Sequence, residues 1–341
     1  MNNLEETASI IWQKIKSANN IILTCHVHPD PDSVGSNLAL KLFLEKNGKK
    51  VTLISGDNHP LLSSKFLPGF DSIIDKSLTP ELLDNHDLFI CIDTGGIEQV
   101  TSKAILNLPL TIPLIVIDHH PTNKGFGEIN YLDTKANSSA EIIFKLLQIW
   151  DSKLIDSKIA ANLFAGFWSD TGGGRYKNTN SQTFRIGADL IDFGVDHVDI
   201  ISKLDSQPIK NLRVMGKTLA EARLFFSGKL VIAKIPIEIF SQFGISDEEA
   251  GSIKYLIAFN LSCASDTEIA VTIYEYEKGK VNASFRSNNP KHFWNVSVIA
   301  SSLGGGGHEQ AAGAKINATI TEAENIILEK IRQIYPELGE A

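Results

Sequence analysis

The sequence predicts an α/β protein. An N-terminal, mainly parallel sheet carries helices on both faces, and a smaller C-terminal α/β domain carries a mixed sheet. Three observations predict this. Short, near-continuously apolar runs recur through the first half, as in strands buried on both faces. Amphipathic stretches long enough for crossover helices separate them. Past about residue 195 the apolar runs alternate only in part, which fits a more open sheet, and 341 residues suffice for about two domains.

Asn20-Ile21-Ile22-Leu23-Thr24-Cys25 reads as the first strand. Gly35 to Asn47 reads as a helix with Leu38, Leu40, Leu42 and Leu44 on its apolar side, stopped by Gly48. Val51–Ile54, Leu88–Ile92 and Leu114–Ile117 are the next strands, and helices are expected at about 138–150, 156–168 and 181–193. A helical stretch at about 197–226 leads to strands at Leu230–Ile235, Glu268–Tyr274 and Lys280–Phe285. The glycine run Gly304–Gly307 reads as a loop after a short amphipathic segment, and a helix at about 320–334 closes the chain. The expected division is 1–195, a helical linker at 196–214, and 215–341.

Composition narrows function. Apolar residues at 43% and charged residues at 21% argue against disorder. The net charge of −8 and the lack of a basic stripe argue against long nucleic acid as partner, since such proteins neutralise phosphates with Lys and Arg. The first residues lack a signal-peptide pattern and no apolar run reaches membrane-spanning length, so no membrane association is expected. Cys25, Cys91 and Cys263 form no CxxC pair, which suits a reducing, cytoplasmic setting, with Cys25 and Cys91 as small core residues. No GxxxxGK[ST] loop is present, and the glycine runs do not match GxGxxG after a strand.

Four features share a position at the end of an apolar strand or helix. They are His26-Val27-His28-Pro29-Asp30-Pro31-Asp32, then Asp93, then Asp118-His119-His120, then Asp170 with Thr171-Gly172-Gly173-Gly174. Alone, each has a plain structural reading as a capped turn, a satisfied histidine or a glycine-stopped helix. Ligands of open parallel sheets bind beyond the carboxyl ends of the strands, so these segments can meet. An Asp at a helix C-terminus opposes the helix dipole unless a cation offsets it. Two His and four Asp supply two three- or four-ligand sites if one carboxylate bridges, and the mixed set suits Mn²⁺, with Mg²⁺ or Co²⁺ as alternatives. Two such ions activate water for in-line attack on phosphorus and offset charge on the phosphoryl oxygens.

These motifs resemble those of the DHH phosphoesterase family, and Gly304-Gly305-Gly306-Gly307-His308-Glu309-Gln310-Ala311-Ala312-Gly313 resembles the signature of its DHHA1 domain. The resemblance spans nearly the whole chain and is nearest to stand-alone oligoribonucleases (nanoRNases) that also dephosphorylate 3′-phosphoadenosine 5′-phosphate. It implies that His26, Asp30 and Asp93 hold one ion, and that Asp32, Asp93, His119 and Asp170 hold the other. It further implies that Asp118 orients His119, that His120 contacts the scissile phosphate or assists the leaving group, and that Arg286, Gly305, Gly306, Gly307 and His308 bind the far phosphate or terminal nucleotide. Two positions depart from the family: Gly174 replaces a common aromatic residue, and His28 a common Asn or Arg. The expected substrate is a short oligonucleotide, dinucleotide or nucleoside bisphosphate; a homodimer is compatible with the sequence, which carries no specific stripe for it. Pyrophosphatase or exopolyphosphatase activity, and a non-catalytic nucleotide-binding protein, are the competing readings.

Overall fold

A computed structural model describes residues 4–57, 64–176, 179–287 and 293–339. The chain divides into two compact units, Met1–Ser206 and Gln207–Ala341.

In the first unit, α1 (Leu4–Ser17) precedes β1 (Asn20–Thr24), α2 (Pro31–Lys46) and β2 (Lys50–Ile54). Then come the one-turn α3 (Pro80–Leu83), β3 (Leu88–Ile92), β4 (Leu114–Asp118) and β5 (Ile129–Leu132), followed by α4 (Ser139–Asp151), α5 (Ser157–Asp170), α6 (Ser181–Asp192) and α7 (His197–Asp205). The five strands are parallel in the order β2-β1-β3-β4-β5. Strand side chains alternate between two cores, as a pleated strand requires. Leu23, Ile90, Ile92, Ile115 and Ile117 pack with residues of α1, α2, α4 and α5. Ile22, Phe89, Cys91 and Val116 pack on the other face with Leu78, Leu83 and Val100.

Chain order runs outward from β1 to β2, then reverses through β3, so the switch point lies between β1 and β3. The register levels their ends. Thr24 pairs with Cys91, and Cys91 with Val116, so two residues further on His26, Asp93 and Asp118 fall in one row.

The second unit starts with α8 (Ile209–Ala220), β6 (Arg223–Phe225), β7 (Leu230–Ile235), α9 (Glu238–Phe243) and α10 (Asp247–Leu261). It continues with β8 (Ile269–Glu277), β9 (Lys280–Ser287), α11 (Val296–Ser302), β10 (Gly306–His308), β11 (Ala311–Ile316) and α12 (Ile320–Ile334). Its sheet has the order β10-β11-β9-β8-β7-β6, and only β7 and β8 are parallel. One face packs with α11 and α12, the other with α8, α9 and α10.

Three expectations need correction. The helix expected from Gly35 starts at Pro31, because Asp30 caps it and Pro is well tolerated in the first turn. The stretch expected to be helical to 226 ends as strand β6. The glycine run is not a simple loop: Gly306 and Gly307 pair with Gly313 and Ala312 in a hairpin. Glycine is required there by close backbone approach, since a Cβ on Gly305 would lie 2.1 Å from the Gly313 carbonyl oxygen and one on Gly307 2.6 Å from Ala312 Cα.

Candidate metal centre

All four motifs of the first unit converge. Asp93 follows β3 at φ 58°, a left-handed conformation uncommon for a non-glycine residue, and its side chain is nearly inaccessible. His26 Nε2 lies 3.6 Å from Asp93 Oδ2, and His119 Nε2 lies 3.4 Å from Asp93 Oδ1. The two carboxylate oxygens thus face different histidines. His26 Nε2 is also 3.9 Å from Asp30 Oδ1, and His119 Nε2 is 3.3 Å from Asp170 Oδ2. Donor atoms of His26, Asp30 and Asp93 lie within 4.8 Å of one another, as do those of Asp32, His119 and Asp170.

Local structure holds each group. Asp30 Oδ1 accepts from the Asp32 and Ser33 amides at 3.0 Å while capping α2. Asp32 is fully buried, and its carboxylate accepts from the Ser139 and Ala140 amides at 2.7 and 2.9 Å. The N-terminus of α4 is thereby aimed at an anion, as helix dipoles favour. Ser139 Oγ donates to Asp93 Oδ1 at 3.0 Å. His26 Nδ1 faces the Val27 carbonyl at 2.9 Å, which assigns the proton to Nδ1 and leaves Nε2 as the lone-pair atom toward the carboxylates. Asp170 closes α5, the dipole-disfavoured end.

The charge balance of the cluster fits cations. Burial, then Asp93, pushes Asp32 up to about 8. Burial, then Asp32 and Asp30, pushes Asp170 well above the usual carboxylate range, and burial with Asp93 raises Asp30. Burial opposes ionisation of Asp93 too, yet His119, His26 and His120 hold it below that range. His119 is raised despite burial, by Asp93, Asp170 and Asp32. Its Nε2 is buried and makes no hydrogen bond among the described residues. An orphaned imidazole nitrogen ringed by crowded carboxylates is the donor set a divalent ion satisfies.

Asp118 departs from expectation. Its Oδ1 accepts from the His119 backbone amide at 2.9 Å and contacts His120 Nδ1 at 2.8 Å, so the ring it orients is that of His120. Asn123 donates to Asp118 Oδ2 at 2.7 Å and to the Thr94 carbonyl at 2.9 Å. Asn123 and Ser139 escaped sequence reading. Ser138-Ser139 before an apolar helix was a legible cap signal, but Asn123 carries none. Asp118→Ala is expected to lower turnover about 10- to 100-fold, the usual cost of losing an orienting partner. Steady-state kinetics with intact metal binding check this.

In the second unit, Arg286 pairs across the sheet with Ala311, which pairs with His308, so the backbone sets these residues in one row. Arg286 donates to its neighbour Phe285's carbonyl at 2.9 Å. The His308 side chain lies outside the described residues. His28 sits at φ 60°, and its side chain is not among the converging donors.

Comparison with known proteins gives two family matches: the DHH family N-terminal domain over residues 20–167 and the DHHA1 domain over residues 229–337. The probable bifunctional oligoribonuclease and PAP phosphatase NrnA of Streptococcus mutans is 29% identical over 322 residues, covering 94% of this chain and 96% of that one. The bifunctional oligoribonuclease and PAP phosphatase NrnA of Thermus thermophilus is 28% identical over 337 residues, 96% of each chain. An exopolyphosphatase-related protein from Bacteroides fragilis shares the fold, with a TM-score of 0.88 at 22% identity over 98% of both chains. No helix among the described residues is long and apolar enough to cross a membrane.

Proposed function

We propose that this chain, which belongs to the DHH family and carries a DHHA1 domain, is a two-metal phosphoesterase acting on short oligonucleotides, dinucleotides or 3′-phosphoadenosine 5′-phosphate. One observation carries the reading: the two oxygens of buried Asp93 face the ring nitrogens of His26 and His119, two histidines that belong to separate donor sets. His26, Asp30 and Asp93 would hold one ion, and Asp32, Asp93, His119 and Asp170 the other. Mn²⁺ suits the mixed imidazole and carboxylate set best, with Mg²⁺ or Co²⁺ as substitutes. Bound there, the pair supplies an acidified water and offsets phosphoryl charge.

The chain's own groups do the rest. Burial opposes protonation of His120, but Asp118 and Asp93 raise its pKa, so its ring can carry a proton to the phosphate or the leaving oxygen. Asp118 and Asn123 position that ring. Arg286, Gly305, Gly306, Gly307 and His308 are assigned to a terminal phosphate, where Arg gives bidentate contacts. The names of the relatives, oligoribonuclease and PAP phosphatase, support this substrate class. Cys25 and Cys91 are buried, their thiols pushed up to about 12 first by burial, which suits the small core residues that the sequence implies.

The test is hydrolysis of pApA, short RNA, 3′-phosphoadenosine 5′-phosphate and pyrophosphate with Mn²⁺. Release from the nucleotide substrates is expected to exceed release from pyrophosphate. Folded protein inactive on all three nucleotides, or faster on pyrophosphate, overturns the reading.

Metal removal has its own signature. Asp32, whose pKa rises from 3.8 to about 8, binds its proton more tightly folded than unfolded. Asp30, Asp170, His119 and His120 shift the same way. For each, stability is fullest below the unfolded pKa and is lost as the pH rises through the folded one. Metal-free protein is therefore expected to lose thermal stability steadily from about pH 4 to pH 8. At a fixed Mn²⁺ concentration the ion should restore most stability at the alkaline end, where the ligands are deprotonated and Kd is lowest; each ion at a hundredfold excess over its Kd contributes about 2.7 kcal/mol. Calorimetry with and without chelator checks both trends.

A further inference from the structure

Three successive glycines follow the carboxylate that ends α5, and each faces a different aromatic ring. Gly172, Gly173 and Gly174 all have positive φ. Their turn is wound tightly on one acceptor, the Thr171 carbonyl, which receives the Gly174, Arg175 and Tyr176 amides at 3.0, 3.0 and 3.2 Å. A Cβ on Gly172 would meet the Tyr176 ring at 2.8 Å, one on Gly173 the Trp168 ring at 3.0 Å, and one on Gly174 the Phe184 ring at 3.0 Å. The turn is thus a patch of bare backbone bordered by rings.

Phe184 is the telling member. It lies on α6 outside the buried set of Thr183, Ile186, Gly187 and Leu190, and it is 60% exposed. Tyr176 is 40% exposed. Hydrophobic packing accounts for Trp168, which stacks on Phe164 with centroids 5.9 Å apart, but it does not account for Phe184. Any side chain at position 174 would press on that ring, and glycine leaves it uncovered. Gly174 lies four residues past Asp170, at most roughly 14 Å away even if extended, and the turn folds that distance back.

We infer that the Phe184 ring, laid bare beside the Gly172–Gly174 turn, is a stacking seat for a nucleobase of the substrate. The inference rests on the phosphoesterase reading, which brings a nucleotide's phosphate to Asp170 and its neighbours. Aromatic faces hold bases without reading their identity, which suits an enzyme that degrades short fragments of any sequence. Phe184 is then a specificity-determining residue that favours nucleotides over phosphoesters lacking a base.

The test compares pApA with its analogue lacking the base nearest the scissile phosphate, both with Mn²⁺. Phe184→Ala is expected to raise KM for pApA roughly 5- to 100-fold, more than it lowers kcat, and to erase a similar factor of preference over the abasic analogue. Phe184→Tyr should restore the preference, and Phe184→Leu should not. A Val198→Ala control, at an exposed apolar site on α7, should leave KM unchanged. An unchanged preference in Phe184→Ala, or full rescue by Leu, overturns the stacking role while the phosphoesterase stands. A wild type that cleaves neither of these but does cleave short RNA or 3′-phosphoadenosine 5′-phosphate overturns the stacking role alone, and one inactive on every nucleotide overturns both.

Discussion

Replacing Asp93 with alanine is expected to lower hydrolysis of pApA by on the order of 10³-fold or more and to abolish the thermal stabilisation given by Mn²⁺. The size of the effect follows from its position. Among the described residues, Asp93 alone presents one oxygen to His26 and the other to His119. On the proposed assignment, losing it removes a ligand from both ions, whereas losing Asp30 or Asp170 touches only one. Asp30→Ala and Asp170→Ala should therefore each retain part of the Mn²⁺-induced rise in Tm. Scanning calorimetry across a Mn²⁺ titration separates the cases. An Asp93→Ala protein with wild-type turnover would remove the shared carboxylate from the mechanism. One that still gains full stability from Mn²⁺ would remove it from the metal site.

The position of Asp93 also shows why parts of the site were legible and others were not. Leu88–Ile92 and Leu114–Ile117 are uninterrupted apolar runs, so their ends were visible, and polar residues at such ends point into a shared crevice. The levelling of those ends is a property of register, and sequence does not display it. The same holds for Ser139, an ordinary serine whose amide and hydroxyl reach Asp32 and Asp93 only because α4 starts beside the sheet. Taken alone the first motif reads as a capped turn, but Pro31 opens α2, so it is a helix N-terminus. Strand β5, Ile129-Asn130-Tyr131-Leu132, sits at a sheet edge with mixed burial and shows no apolar run. The hairpin of β10 and β11 hid behind glycines, which read as loop when their pairing partners are unknown.

Gly35→Ala should act through geometry rather than chemistry, and its sign is the test. In a helix interior alanine ordinarily stabilises over glycine by about 1 kcal/mol. Gly35, however, is where α2 crosses α5: a Cβ there would lie 2.3 Å from the Asn162 carbonyl oxygen and 3.2 Å from its carbon. Backbone cannot swing aside as a side chain can, so the helices must separate, at a cost of roughly 1–3 kcal/mol or more. The crossing also spaces the metal centre. Asp32 stands three residues before Gly35 on α2, and Asp170 four after Gly166 on α5, whose own Cβ would meet Asp32 Oδ1 at 2.6 Å. A shift of about 1 Å between catalytic groups can cost about 100-fold in rate. Gly35→Ala is thus expected to lower Tm by several degrees and turnover by one to two orders of magnitude. Gly216→Ala on α8, where nothing lies within 4 Å, should instead raise stability by about 0.5–1 kcal/mol. Stabilisation by both substitutions would mean that α2 and α5 do not meet as closely as the site requires.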